Sequence, residues 1–234
     1  MMWDGVGLDI EPDASFYLQI MRNPWGLGPM LLPRLRDKQR PRQAQAAYAA
    51  LIDRIHRDGW SVENYQIPLI ADERRVGSTL LQRLLGLVDV HTDREVWMLY
   101  TSFARTLGPA ILWSYGRDAA AIAVGTTGGG PDVPDHPQMP SLSWDEFARD
   151  LRLASRWSDD LYVHSLEGCV WHGFLGRLRS FDWAATITPP RAAPVGDAAR
   201  VALRGLLWAG EHPAAVGVAT ASLWWLRRSR RTSR

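Results

Sequence analysis

Cysteine is nearly absent from this chain. The single thiol, Cys169, excludes an internal disulfide and any cysteine-built zinc cage. Lysine is equally scarce: Lys38 stands alone, so arginine carries the positive charge. Neither sign of charge dominates, because the formal net charge is only +2. Five Arg between Arg227 and Arg234 exceed that total, leaving the body slightly acidic. This distribution argues against a nucleic-acid-binding body and for a local basic tail. The opening lacks a basic and then apolar stretch of the secretory kind, since Met1-Met2-Trp3-Asp4 runs straight into a strand pattern. Long apolar runs are missing as well. The cleanest, Pro213–Leu226, has fourteen residues; at about 1.5 Å per residue it reaches about two-thirds of the way across a hydrocarbon core. No His pair has metal-ligand spacing, and no cofactor motif is present, so neither a metal nor a cofactor is predicted.

What is present belongs to a globular protein. The 234 residues are 46% apolar and 22% charged, and twelve are Trp, which fill cores, line sugar-binding clefts or sit at membrane interfaces. Five short apolar runs read as buried strands: Val6–Ile10, Glu63–Ile70, Glu95–Tyr100, Ala120–Val124 and Leu161–Ser165. Helical patterns separate them: Ala44–Arg57, Ser78–Leu87, Leu107–Tyr115 and Ser143–Ser158, with Cys169–Phe181 after the last strand. Ser143 and Glu146 have the spacing of a capping box. Strand–helix alternation implies parallel strands with crossover helices. The first strand ends in Asp9-Ile10-Glu11-Pro12-Asp13, which would repel a phosphate, and acidic strand ends favour a (βα) barrel over an open doubly wound sheet. The predicted fold is α/β: a partial (βα)8 barrel of about five parallel units over residues 1–188, then a Pro/Ala/Gly linker at 189–198. Residues 199–234 hold a C-terminal apolar helix and the Arg-rich tail. Its Trp224-Trp225-Leu226-Arg227-Arg228 ending reads as a membrane anchor or interfacial helix, the alternative being an amphipathic helix packed on the barrel.

Along a strand, alternate residues share a face. Gly7, Asp9 and Glu11 therefore point into the barrel, while Val6, Leu8 and Ile10 face the helices. Two carboxylates so close cannot both ionise freely, which lets one act as an acid; a structural acidic pair satisfied by arginine is the alternative. Asp72 and Glu73 follow the second strand pattern and Glu167 the fifth, so each is a candidate lining residue, with pairing to Arg as its structural alternative. His164 and Ser165 lack partners for catalysis at this level. The loop from Thr126 to Pro140 reads as a mobile rim.

The segment Asp4-Gly5-Val6-Gly7-Leu8-Asp9-Ile10-Glu11 resembles the fourth-strand signature of family 18 glycoside hydrolases, Asp-Gly-x-Asp-x-Asp-x-Glu. Asp4, Gly5, Asp9 and Glu11 match, and Gly7 stands where the first inner Asp belongs. Met98-Leu99-Tyr100-Thr101 is similar to the family's Met-x-Tyr-Asp, with Thr101 as the departure; the floor Trp of the last strand is absent from Leu161–Glu167. The resemblance implies that Glu11 protonates the leaving sugar oxygen, that Asp9 orients the substrate's own acetamido group as nucleophile, and that Tyr100 binds that group. It implies a glycan partner, an amino-sugar polymer, and makes the five strands numbers four to eight of a barrel, so that the chain is expected to be a fragment of an uncharacterised bacterial branch. A catalytically silent barrel that binds glycan or serves a membrane assembly is the competing expectation. The expected location is at a membrane with the barrel outward, or else the cytoplasm.

Overall fold

The five strand patterns become five strands in the computed structural model, which describes residues 4–11, 28–129 and 141–232. In chain order the elements are β1 (Gly5–Asp9), α1 (Gly28–Arg36), α2 (Gln39–Arg57), β2 (Ser61–Gln66), α3 (Leu69–Val76), α4 (Leu80–Leu85) and β3 (Arg94–Met98). A 3₁₀ turn (Thr101–Ala104), α5 (Gly108–Gly116), β4 (Ala121–Gly125), α6 (Trp144–Ser155) and β5 (Asp160–His164) follow. The chain ends in α7 (Leu166–Trp171), α8 (Phe174–Leu178), α9 (Ala193–Glu211) and α10 (Pro213–Thr232). The strands form one sheet in the order β1-β2-β3-β4-β5, every neighbouring pair parallel, with helices in the crossovers.

The sheet is curled into a half-barrel. Strands β2 and β5 are separated by three inter-strand spacings, about 14 Å in a flat sheet. Yet the rings of Tyr65 on β2 and Tyr162 on β5 lie 5.9 Å apart, centroid to centroid. The Tyr162 hydroxyl also donates to Glu63 Oε2 at 2.9 Å. Only curvature toward one face brings these side chains together.

The two faces carry different chemistry. On the convex side, Trp97, Leu99, Ile122 and Val124 pack with Leu112, Phe147 and Leu151 beneath the helices. Val62 and Ile10 join Ile52 and Val88 in a second cluster under α2. The concave side has a thinner apolar layer of Val96, Ala121 and Ala123, roofed by Tyr65, Tyr100 and Tyr162. The inner strand β4 is buried throughout, as its unbroken Ala-Ile-Ala-Val-Gly run requires.

One local expectation holds to the residue. Ser143 caps α6 with the reciprocal Glu146 contact that its spacing foretells. The second strand, by contrast, stops at Gln66 rather than Ile70. Pro68 cannot donate to a strand ladder, and its fixed φ suits a helix start, so Leu69 and Ile70 open α3. Asp72 and Glu73 thereby move from a strand end into a helix. Residues 189–198 are likewise not all linker, since α9 begins at Ala193. Gly196, which reads as flexibility, instead lets α9 approach α5: a Cβ there would lie 2.7 Å from the Ala110 carbonyl oxygen.

The apolar C-terminal segment is two helices broken at His212-Pro213, because Pro213 lacks the amide that would continue α9. Among the described residues, no helix is long and apolar enough to cross a membrane. Asp13, the loop 130–140 and Arg234 lie outside the described residues.

Candidate active site

Inward-facing residues at the carboxyl ends of the strands meet in one cleft of about 560 Å³. Gly7, Asp9 and Glu11 come from β1 and its end, Tyr65 from β2, Met98 from β3, Tyr100 from just beyond it, and Tyr162 and His164 from β5. Phe103 and Thr126, on the turns after β3 and β4, complete the mouth. The period-two pattern of β1 thus delivers both carboxylates to the concave face, as the sequence implies.

The electrostatics follow from this placement. Burial first, and then the neighbouring Asp9, push the Glu11 carboxyl above its ordinary value, while His164 pulls in the other direction. Glu11 and His164 belong to opposite edges of the sheet, so their mutual influence is another product of the curl. The Tyr100 phenol is raised by burial and then by Asp9 and Glu11, which keeps it a neutral hydrogen-bond donor. Its ring stacks on His164 at 5.5 Å and 24°, and on Phe103 at 6.0 Å and 30°. The turn carrying Phe103 is tied down by Ser102, whose hydroxyl accepts from the Thr126 amide at 3.0 Å.

Of the residues singled out in the sequence, Asp9, Glu11 and Tyr100 come together in the cleft. Asp72 does not. It is buried behind the sheet, where it accepts from Tyr115 Oη at 2.6 Å and from Arg200 Nη2 at 2.9 Å. The structural alternative of an arginine partner describes it, although the partner is Arg200 on α9 and not its neighbours in sequence. Glu73 is also buried outside the cleft. Its carboxylate accepts from the amides of Leu81 and Gln82 and from the Ser78 hydroxyl, closing the start of α4. Glu167 sits exposed in the first turn of α7, beside His164, and does not line the cleft. Its carboxyl is held below the ordinary range by its own backbone amide and by Ser165. Thr101, at the departure from the Tyr-Asp pattern, turns away: its hydroxyl donates to buried Asp150 on α6.

His164, Tyr162, Tyr65 and Phe103 were not assigned to the site from sequence. Tyr162 and His164 have the i, i+2 spacing that places both on the inner face of β5, and Glu63 and Tyr65 repeat that spacing on β2. That pattern was available, but how far the faces of distant strands converge depends on curvature. Among the described residues, no group of three or more His, Cys, Asp or Glu is placed to hold a metal ion. Comparison of the chain with family models, curated proteins and solved structures finds no match.

Proposed function

We propose that this cleft cleaves a glycosidic bond in an amino-sugar glycan, with Glu11 as general acid. The observation that carries the reading is the convergence of Asp9, Glu11 and Tyr100 in one cleft, with the Glu11 carboxyl raised by burial and by Asp9. A raised carboxyl retains its proton at a pH where an exposed one has lost it, and can deliver it to a leaving oxygen. Asp9 then orients the acetamido group of the sugar, which attacks the anomeric carbon as the glycosidic bond breaks. The Tyr100 phenol supplies a hydrogen bond to that group. The resemblance at Asp4–Glu11 supports the sugar class, and the stacked rings of Phe103, Tyr100 and His164 support a ligand with flat apolar faces.

The test is turnover of an aryl glycoside of N-acetylglucosamine by the full chain and by Glu11→Gln. The wild type is expected to cleave it, and the variant to lose about 10²–10⁴-fold in rate. Equal rates would remove Glu11 from the reaction. Thr101, which turns to Asp150 instead of the cleft, favours a second reading, a barrel that binds glycan without cleaving it. Glycan binding with no turnover in the wild type would establish that second reading.

The molecule is also proposed to work at a lipid surface, with α10 lying on it. The helix contains no acidic residue, exposes Val218 and Trp224, and ends in an arginine cluster.

A further inference from the structure

We infer that Glu63 is a positioning residue of the cleft, one that sets its floor by holding Tyr65 and Tyr162 on a single carboxylate. The inference rests on the glycan reading for its substrate, though not for its geometry. Glu63 is partly buried on the concave face of β2. Tyr65, two residues further along the same face, donates its hydroxyl to Oε1 at 2.7 Å. Tyr162, three strands away, donates to Oε2 at 2.9 Å. Both tyrosines line the cleft with Asp9 and Glu11, packed edge to face. Hydrogen bonds to an ionised carboxylate are roughly twice as strong as neutral ones. Two of them on one group tie β2 to β5 across the open side of the sheet. Arg94 on β3 braces the same point, 3.3 Å from Asp160 and 3.4 Å from the Tyr162 hydroxyl.

Position 7 fits this arrangement. A Cβ on Gly7 would stand 3.3 Å from the Tyr65 ring and 3.8 Å from Glu63 Oε1. Strand β1 therefore omits a side chain where the clamp needs room, and a carboxylate from the next strand occupies the neighbourhood. The clamp draws the β5 wall, with His164, toward the β1 wall, with Asp9 and Glu11. Its consequence is the width of the cleft and so the fit of a sugar ring, while proton transfer stays with Glu11.

The experiment compares Glu63→Ala with Glu63→Gln in the full chain. The readouts are steady-state kinetics on an aryl glycoside of N-acetylglucosamine and the Raman doublet of tyrosine, which reports hydroxyl donation. In Glu63→Ala, KM is expected to rise about tenfold with kcat within about threefold. The doublet should lose the strong-donor signature of two of the six tyrosines. Glu63→Gln keeps an acceptor for one hydroxyl and an amide for the other, so its KM should stay within about threefold of the wild type. An unchanged doublet or an unchanged KM in Glu63→Ala overturns the inference. So does an equal loss of kcat in both variants, which marks a merely structural group. If the wild type cleaves nothing, the catalytic reading fails, and the clamp is then decided by the doublet together with the affinity of Glu63→Ala and wild type for tri-N-acetylchitotriose. A lost doublet with weakened affinity upholds it; any other result overturns it.

Discussion

Asp150 shows how burial and hydrogen bonding compete at one side chain. Its carboxylate is inaccessible, accepts from Thr101, and is paired with Arg149. Burial nevertheless outweighs both partners and pushes the carboxyl up to about 6. A raised value means that the folded protein holds this proton more tightly than the unfolded chain does. The stabilisation is full below the unfolded value near 4 and is lost as pH rises through about 6, by on the order of 3 kcal/mol. Denaturant titrations of wild type and Asp150→Asn between pH 4 and 7 should diverge by that amount, with the wild type losing relative stability as pH rises. Parallel pH curves would place the proton elsewhere. In the cleft, Glu11 is raised too, so glycoside cleavage should decline as pH passes above the raised value. The Asp9–Glu11 pair was legible in the sequence because strand alternation fixes which neighbours share a face. Asp72 and Glu73 were misplaced because a single proline turned an apolar run into a helix, reversing which side of the sheet they serve.

At the level of elements, strands were read well and helix ends less so. Each strand pattern contains a β-branched or aromatic run with a turn signal beside it; four of the five strands begin and end within two residues of expectation, and the second ends four residues early at Gln66. The start of α9, six residues before the expected C-terminal helix, is hidden because Pro194 and Gly196 look like punctuation, although Pro is tolerated in a first helical turn and Gly where two helices touch. What anchors α9 is Arg200, buried with Asp72 and also bonded to Asp118 at 2.7 Å and to the Ser114 carbonyl. Its guanidinium lies 4.0 Å from the centroid of the Tyr115 ring. No local pattern announces a partner 128 residues away. Replacing Arg200 by Ala leaves the buried Asp72 carboxylate with only the Tyr115 hydroxyl and Arg204, 3.4 Å away, a change expected to cost about 3 kcal/mol. Chemical denaturation should record it. The double variant Arg200→Met with Asp72→Asn should recover part of the loss, since the buried carboxylate that lost its main partner is gone. A single variant as stable as wild type would show that α9 is held by its other contacts, among them Glu211 with Arg83 and Asp197 with Ser114.

For the whole molecule, the concave cleft and α10 carry different chemistry, one acidic and aromatic, the other basic. In α10 the Arg228 guanidinium lies 5.2 Å from the Trp224 ring centroid, so charge and aromatic surface are presented together. Full-length protein should sediment with vesicles containing anionic phosphatidylglycerol and stay in the supernatant with neutral phosphatidylcholine. Removing residues 213–234 should abolish the sedimentation, and raised salt should weaken it. Equal sedimentation of the truncated chain would assign the lipid contact elsewhere. The two outer strands, β1 and β5, each pair on one side only among the described residues. Exposed Leu166, Val170 and Trp171 follow directly after β5. Sheet order equal to chain order also bears on synthesis at the ribosome. From β2 onward, every strand finds its neighbour immediately upstream, already made, so the sheet can grow one unit at a time as the chain emerges. No pairing in it has to wait for a distant segment, which keeps contact order low for a parallel sheet and limits how long any hydrophobic strand stays exposed to other nascent chains.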